Sequence, residues 1–209
     1  MKIMKNFTVF EGADGSGTST QLRLLEDRFE KAGERPLPPL FTTSEPTDGP
    51  VGRLLRSGLK GETPLKSETI AYLFAADRNE HLFGPEGIAE RCQRGELVVQ
   101  DRYTASSLVY QGITCGDELP ARLNRDFPVP ELLFYFDIDS ETAQKRMAER
   151  KTREIYEHLE FQIKVRERYK ALLNSFEEAG SRLVVIDASL PPQEVADEVW
   201  REIQKLPIF

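Results

Sequence analysis

The chain has 209 residues, enough for one well-buried α/β domain, and carries 28 Lys and Arg against 35 Asp and Glu, a formal net charge of −7. That balance argues against a nucleic acid polymer or an anionic membrane surface as partner, and leaves a small anionic ligand only where basic groups gather locally. The opening residues MKIMKNFTVFEG hold no apolar run of signal-peptide length and no window approaches a membrane span, so a cytoplasmic protein with reduced thiols at Cys92 and Cys115 is expected.

Residues 6–11, NFTVFE, are predicted as the first strand, followed by a glycine-rich loop and a helix marked by Leu22, Leu25 and Phe29 that Gly33 can stop. Gly12, Gly17 and Ser19 fit the frame G-x-x-x-x-G-K-[ST], except that Thr18 stands at the lysine position. Small residues let backbone N–H groups surround phosphate oxygens, and the following helix presents its positive end. Gly12, Gly15, Ser16, Gly17, Thr18, Ser19 and Thr20 are therefore assigned to the phosphates of ATP, with Ser19 as a hydroxyl ligand to Mg²⁺. A simple helix cap is the plainer alternative, but a cap needs neither two glycines five apart nor a run of hydroxyls. Thr18 supplies no positive charge, so either another cation reaches the phosphates or turnover is slow.

A second strand, weakened by prolines, falls at 37–43. In LFAADR, Phe74 and Arg78 are four apart, which puts a ring and a guanidinium on one side of a helix. The third strand, 96–101, ends in Asp101-Arg102-Tyr103. Asp101 there can hold Mg²⁺ through water or orient the attacking oxygen, and Arg102 can clamp a phosphate with two hydrogen bonds. Ser107, Tyr110 and Gln111 follow on a short helix. The fourth strand, 131–138, leads to KRMAERKTRE, where Arg146, Arg150 and Arg153 share one side of a helix. Such a charge run is often a solvated face, but beside a phosphate loop it suits a lid that brings guanidinium groups onto a transferring phosphoryl group. Phe161, Val165, Tyr169, Leu172 and Phe176 mark a later helix, 182–187 a fifth strand, and Val195, Val199 and Ile203 the last helix. Continuous apolar strands alternating with helices predict a parallel sheet layered between helices, with ligands at the carboxyl ends of the strands.

The ordered set FEGADGSG…TQ, SEPTDGPVG, LFAADR, DRYTASSLVYQG, LLFYFDID and YEHLEFQIKVRERY resembles the thymidylate kinase family over essentially the whole chain. LFAADR followed by DRY and S-x-x-Y-Q-G is its most specific part. The resemblance implies a single domain of the P-loop NTPase type, three layers α/β/α around a five-stranded parallel sheet, with a short basic lid at approximately 141–157. It also implies transfer of the γ-phosphoryl group of ATP to dTMP with Mg²⁺, and a homodimer. By the same resemblance Asp14 contacts the deoxyribose 3′-hydroxyl, Phe74 stacks on thymine, Arg78 addresses a thymine carbonyl and Arg102 holds the dTMP phosphate. Ser107 would face the pyrimidine edge, Tyr110 would fill the space of a ribose 2′-hydroxyl, and Gln111 is carried over only as a dTMP-binding residue.

Two departures stand out: Thr18 for the loop lysine, and Ser44-Glu45-Pro46 for the family's R-E-P. Arg53 is the candidate replacement for the second missing cation, and the lid arginines Arg150 and Arg153 for the first. Glu157 and Phe161 match the pattern just after the lid. Two other readings stay open: a deoxynucleoside kinase, and a nucleotide-binding protein without catalysis.

Overall fold

The computed structural model describes residues 2–33, 36–148, 156 and 158–209. In chain order the elements are β1 (Ile3–Gly12), α1 (Thr18–Lys31), β2 (Leu40–Ser44), α2 (Pro50–Leu59), α3 (Ser67–Phe83), α4 (Ile88–Gln93), β3 (Leu97–Asp101), α5 (Thr104–Cys115), α6 (Glu118–Asn124), β4 (Val129–Asp137), α7 (Ser140–Ala148), α8 (Leu159–Glu178), β5 (Arg182–Asp187) and α9 (Pro192–Ile203). The strands pair in the order β2-β3-β1-β4-β5, every pair parallel.

The apolar runs are continuous because the sheet is covered on both faces. Phe7, Val9, Val98, Leu133 and Tyr135 pack into one core with Leu55, Ile70, Leu82, Val109 and Val165 from α2, α3, α5 and α8. Their strand neighbours Phe10, Val99, Phe134 and Phe136 point the other way, into a second core with Leu25, Ala143, Val195, Val199 and Ile203 from α1, α7 and α9. The result is three layers. After β1 the chain leaves for the α1 face, and after β3 for the α5 face. The two connections diverge and open a crevice at the carboxyl ends of the central strands, where ligands of such sheets bind.

Several boundaries differ from the expectation. The second strand begins only at Leu40, since Pro36, Pro38 and Pro39 have no N–H for a ladder. The first begins at Ile3, across a register shift between Met4 and Thr8 where Asn6 takes φ 61 and its N–H is held by Glu131 at 2.8 Å. Cys92 and Cys115 are both free. Burial pushes the Cys92 thiol up to about 12, so it serves as a small core hydrophobe. Among the described residues no helix is long and apolar enough to cross a membrane.

Asp137, at the carboxyl end of β4, ties α8 to the sheet. It accepts from Arg166 Nε and Nη2 at 2.7 and 3.1 Å and pairs with Lys170 Nζ at 2.9 Å. Partial burial works to raise its carboxyl, but the bonds from Arg166 and Lys170 outweigh that and hold it below its ordinary 3.8. A depressed folded value stabilises the fold above the unfolded value and loses that contribution as pH falls through the folded one. Asp137→Asn should therefore lower the denaturant midpoint at neutral pH, with the difference from the parent shrinking below pH 3.8 in a pH series. Phe134→Ala, which empties a fully buried position, should cost about 3–5 kcal/mol in urea unfolding, whereas Val185→Thr, on the exposed side of β5, should stay within about 0.5 kcal/mol.

Candidate active site

The glycine-rich loop takes its shape from backbone needs that only glycine meets. A Cβ at Gly12 would lie 2.4 Å from Ser16 Oγ, one at Gly15 would lie 2.5 Å from the Ala143 carbonyl, and Gly15 and Gly17 hold φ +84 and +93. Gly17 opens α1, accepting from Thr20 N and Gln21 N at 2.9 and 3.0 Å. No side-chain cap and no acidic residue occupies the first turn of α1, so its N–H groups and the positive helix end face the crevice, a setting that favours an anion.

A cavity of about 350 Å³ lies there. Asp14, Gly15, Gly17, Thr18, Ser19 and Thr20 form one wall, and Phe74, Arg78, Arg102, Ser107, Tyr110 and Gln111 form the other. The structure thus brings together residues from five elements and loops that the sequence analysis assigned separately. Gly12 and Ser16 do not line this cavity, and Ser16 lines a smaller recess of about 150 Å³ shared with Gly17, Thr20 and Arg146. Arg146 is tethered there through Nη1 to the Ala188 carbonyl at 3.0 Å. Arg150, Arg153 and Glu157 lie outside the described residues, as does most of the expected lid beyond α7.

Ser19 Oγ donates to Asp101 Oδ2 at 2.6 Å, and Asp101 Oδ1 is buried without a hydrogen-bond partner among the described residues. An unsatisfied buried carboxylate oxygen beside a hydroxyl is a fitting donor set for a hard cation. Mg²⁺ takes few protein oxygens and completes its octahedron with phosphate and water. Among the described residues no group of three or more His, Cys, Asp or Glu could hold a metal by itself.

Arg102 stands between β3 and α5 at φ 68, its N–H bound to the Phe10 carbonyl at 2.9 Å. Nη2 pairs with Asp14 Oδ1, Nη1 reaches Ser106 Oγ at 3.3 Å, and the guanidinium lies 5.3 Å from the centre of the Tyr110 ring. Asp14 is held from the other side by Gln162, which donates to Oδ2 at 2.8 Å and accepts from the Asp14 N–H at 3.2 Å. Gln162 is fully buried and also donates to the Tyr156 carbonyl at 2.9 Å, joining the segment after the lid to the phosphate loop. Sequence reasoning missed it. It lies within YEHLEFQ, but its partner is 148 positions away.

Arg78 is 1% exposed and pairs with Glu45 Oε2 through Nε and Nη2 at 2.9 and 2.7 Å. Nη2 also donates to Ser107 Oγ at 3.1 Å, and Nη1 donates to Asn124 Oδ1. A guanidinium has five N–H groups, so one on Nη1 remains for a ligand among the described residues. Burial alone would raise the Glu45 carboxyl, but the Arg78 charge and the His81 contact hold it below the ordinary 4.5. The S-E-P segment therefore supplies the counter-ion of Arg78 rather than a cation. Asp77, next to Arg78, accepts from Thr47 N and Oγ1 at 2.7 and 2.6 Å and fixes the end of that segment.

Arg53 does not reach inward. It is exposed, donates to the Asp48 carbonyl at 2.6 Å and does not line the cavity. Arg56 lines it instead, with Nη2 on the Pro46 carbonyl and Nε buried without a partner among the described residues. Three residues are about 300° of helix, so the two arginines differ by about 60° around α2, and only the packing of Leu55 and Leu59 on the core decides which faces the crevice.

Residues 10–199 match the family model described as thymidylate kinase. A protein of Treponema pallidum (strain Nichols) provisionally named thymidylate kinase is 41% identical over 208 residues, 98% of each chain. One of Pyrobaculum aerophilum with the same provisional name is 39% identical over 205 residues, 97% of this chain and 98% of that one. An Aeropyrum pernix protein so named is 40% identical over 179 residues, 85% and 83% of the two chains. With a parallel five-stranded sheet, a glycine phosphate loop and matches of this length, the chain belongs to the thymidylate kinase family.

Proposed function

We propose that this protein transfers the γ-phosphoryl group of Mg·ATP to dTMP by in-line displacement. One observation carries the reading: one cavity is lined by a helix end suited to an anion, by an aromatic ring with a buried arginine, and by Arg102. Donor phosphates rest on the loop N–H groups, and Ser19 with Asp101 would hold Mg²⁺, which when bound neutralises charge on the β- and γ-phosphates. Arg102 and Arg56 take the acceptor phosphate, Arg56 in place of the arginine absent at Ser44. Phe74, half-buried, stacks on the base. The remaining N–H of Arg78 meets a ring carbonyl, and Gln111 Oε1, a buried acceptor without a partner among the described residues, suits a ring N–H. Both groups thus match a pyrimidine that offers carbonyls and a donor.

The acid–base chemistry favours a monophosphate over a nucleoside acceptor. A hydroxyl must lose its proton during transfer and needs a base, whereas a phosphate monoester, with a second pKa of about 6, already offers an ionised oxygen. The carboxylates lining the cavity among the described residues are Asp14, bonded to Arg102 and Gln162, Glu45, bonded to Arg78, and Asp101, whose Oδ2 accepts from Ser19 and whose Oδ1 is left for the cation. The lid arginines Arg150 and Arg153, a homodimeric state and a cytoplasmic location belong to the same proposal. Thr18 favours one other reading, binding without transfer: it is buried on the cavity wall and puts no ammonium beside the phosphates.

A coupled ADP-release assay over nucleoside monophosphates and thymidine with Mg·ATP tests the proposal, and dTMP should be the preferred acceptor. Preference for thymidine would convert the assignment to a nucleoside kinase, and nucleotide binding by calorimetry without ADP release would convert it to a binding protein. Arg102→Ala should cut kcat/KM for dTMP by about 100- to 1,000-fold while KM for Mg·ATP changes far less. Thr18→Lys should raise kcat if the phosphates lack a cation; an unchanged or lower rate would place a lid arginine there.

A further inference from the structure

Glu11, the residue before the phosphate loop, takes no part in the transfer just described, yet it is a fully buried carboxylate at the end of β1. No lysine or arginine bonds it among the described residues, and burial pushes its carboxyl above the ordinary value against the pull of Ser106, Arg102 and Tyr169. A charge so placed is costly unless its hydrogen bonds are complete. They are. Oε1 accepts from Tyr103 N and Ser106 N at 2.9 and 3.2 Å, and Oε2 from Ser106 Oγ and Tyr169 OH at 2.6 and 2.9 Å.

Three of those four donors belong to the first turn of α5 or its N-cap. The N-cap residue is Tyr103, whose side chain makes no capping bond. Glu11 performs that task from another strand, satisfying N–H groups that a helix start otherwise leaves open. Immediately before them stands Arg102 in a left-handed conformation that its Cβ disfavours, which persists only where the surroundings enforce it. Phe10 holds the Arg102 N–H, and Ser106 Oγ, having given its proton to Glu11, offers a lone pair to Arg102 Nη1. We infer that Glu11 is the positioning residue of the acceptor clamp: by capping α5 from β1 it fixes the strained residue from which Arg102 reaches Asp14 and the acceptor phosphate. This rests on the reading of Arg102 as the group that holds dTMP.

The test compares Glu11→Ala with Glu11→Gln, whose Oε1 can still accept both backbone N–H groups. Glu11→Ala should raise KM for dTMP at least about tenfold with KM for Mg·ATP changed less than about threefold, and Glu11→Gln should stay within about threefold of the parent for both. Equal effects on the two substrates, or none, would overturn the inference. Should Glu11→Ala fail to fold by circular dichroism, Glu11→Asp, whose shorter side chain draws the carboxylate back from the Tyr103 and Ser106 N–H groups, takes its place, and an unchanged KM for dTMP would count against the role. A crystal structure of Glu11→Gln beside Glu11→Ala or Glu11→Asp separates this from the identity of the acceptor. If the parent does not use dTMP, the functional reading fails, and Glu11 is then judged on Arg102 alone: a shift from positive φ in Glu11→Ala supports the role, an unmoved Arg102 refutes it.

Discussion

Parallel pairing of Phe10 with Asp101 is the constraint from which the site follows. It sets the end of β1, and so the phosphate loop, level with the end of β3, so that Ser19 meets Asp101 and Asp14 meets Arg102 across the rim. The same level continues outward, where Ser44 pairs with Asp101 and the Glu45 N–H binds the Asp101 carbonyl at 3.1 Å. A slip of one residue would turn Phe10 and Val99 away from their core and separate these side chains. Burial of the two apolar faces therefore holds the chemistry in register.

Around that rim the protein keeps several charges out of water. Arg78 with Glu45 is almost wholly buried, Glu11 is fully buried, and Arg102 with Asp14 lines the cavity. Buried pairs of this kind contribute little net stability, because desolvation offsets their attraction. Their physical consequence is fixed geometry. Arg78 has four of its five N–H groups committed to the protein, and Arg102 is held by Asp14 and Ser106, so both guanidinium groups are positioned before a ligand arrives. This also gives Thr18 its meaning. The loop itself carries no lysine or arginine, and the arginines that line the cavity, Arg56, Arg78 and Arg102, come from α2, α3 and the end of β3.

The phosphate loop, Asp101, Arg102 and the LFAADR helix were legible in the sequence because each is a local arrangement: glycine torsions, a strand end, or a four-residue helical spacing. Arg53 was misplaced because the phase of α2 against the core is not local, and Arg56 took the inward position. Glu45, Asn124 and Gln162 escaped notice because their partners lie 33, 46 and 148 positions away and no short-range pattern marks them. The weak second strand was foreseen as weak, and its prolines shortened it as their missing N–H groups require.

By itself, then, the sequence determined the five strands, most of the longer helices between them and that the sheet is parallel and covered on both sides, though not the short helices α4 and α6. Those outcomes depend on torsional preference and on the spacing of apolar residues along a few turns. Only the tertiary structure decided which arginine faces the cavity, which carboxylates are already bonded, and that Glu11 of one strand caps the helix after another. Those depend on strand register and helix phase, which are fixed when distant apolar surfaces pack together.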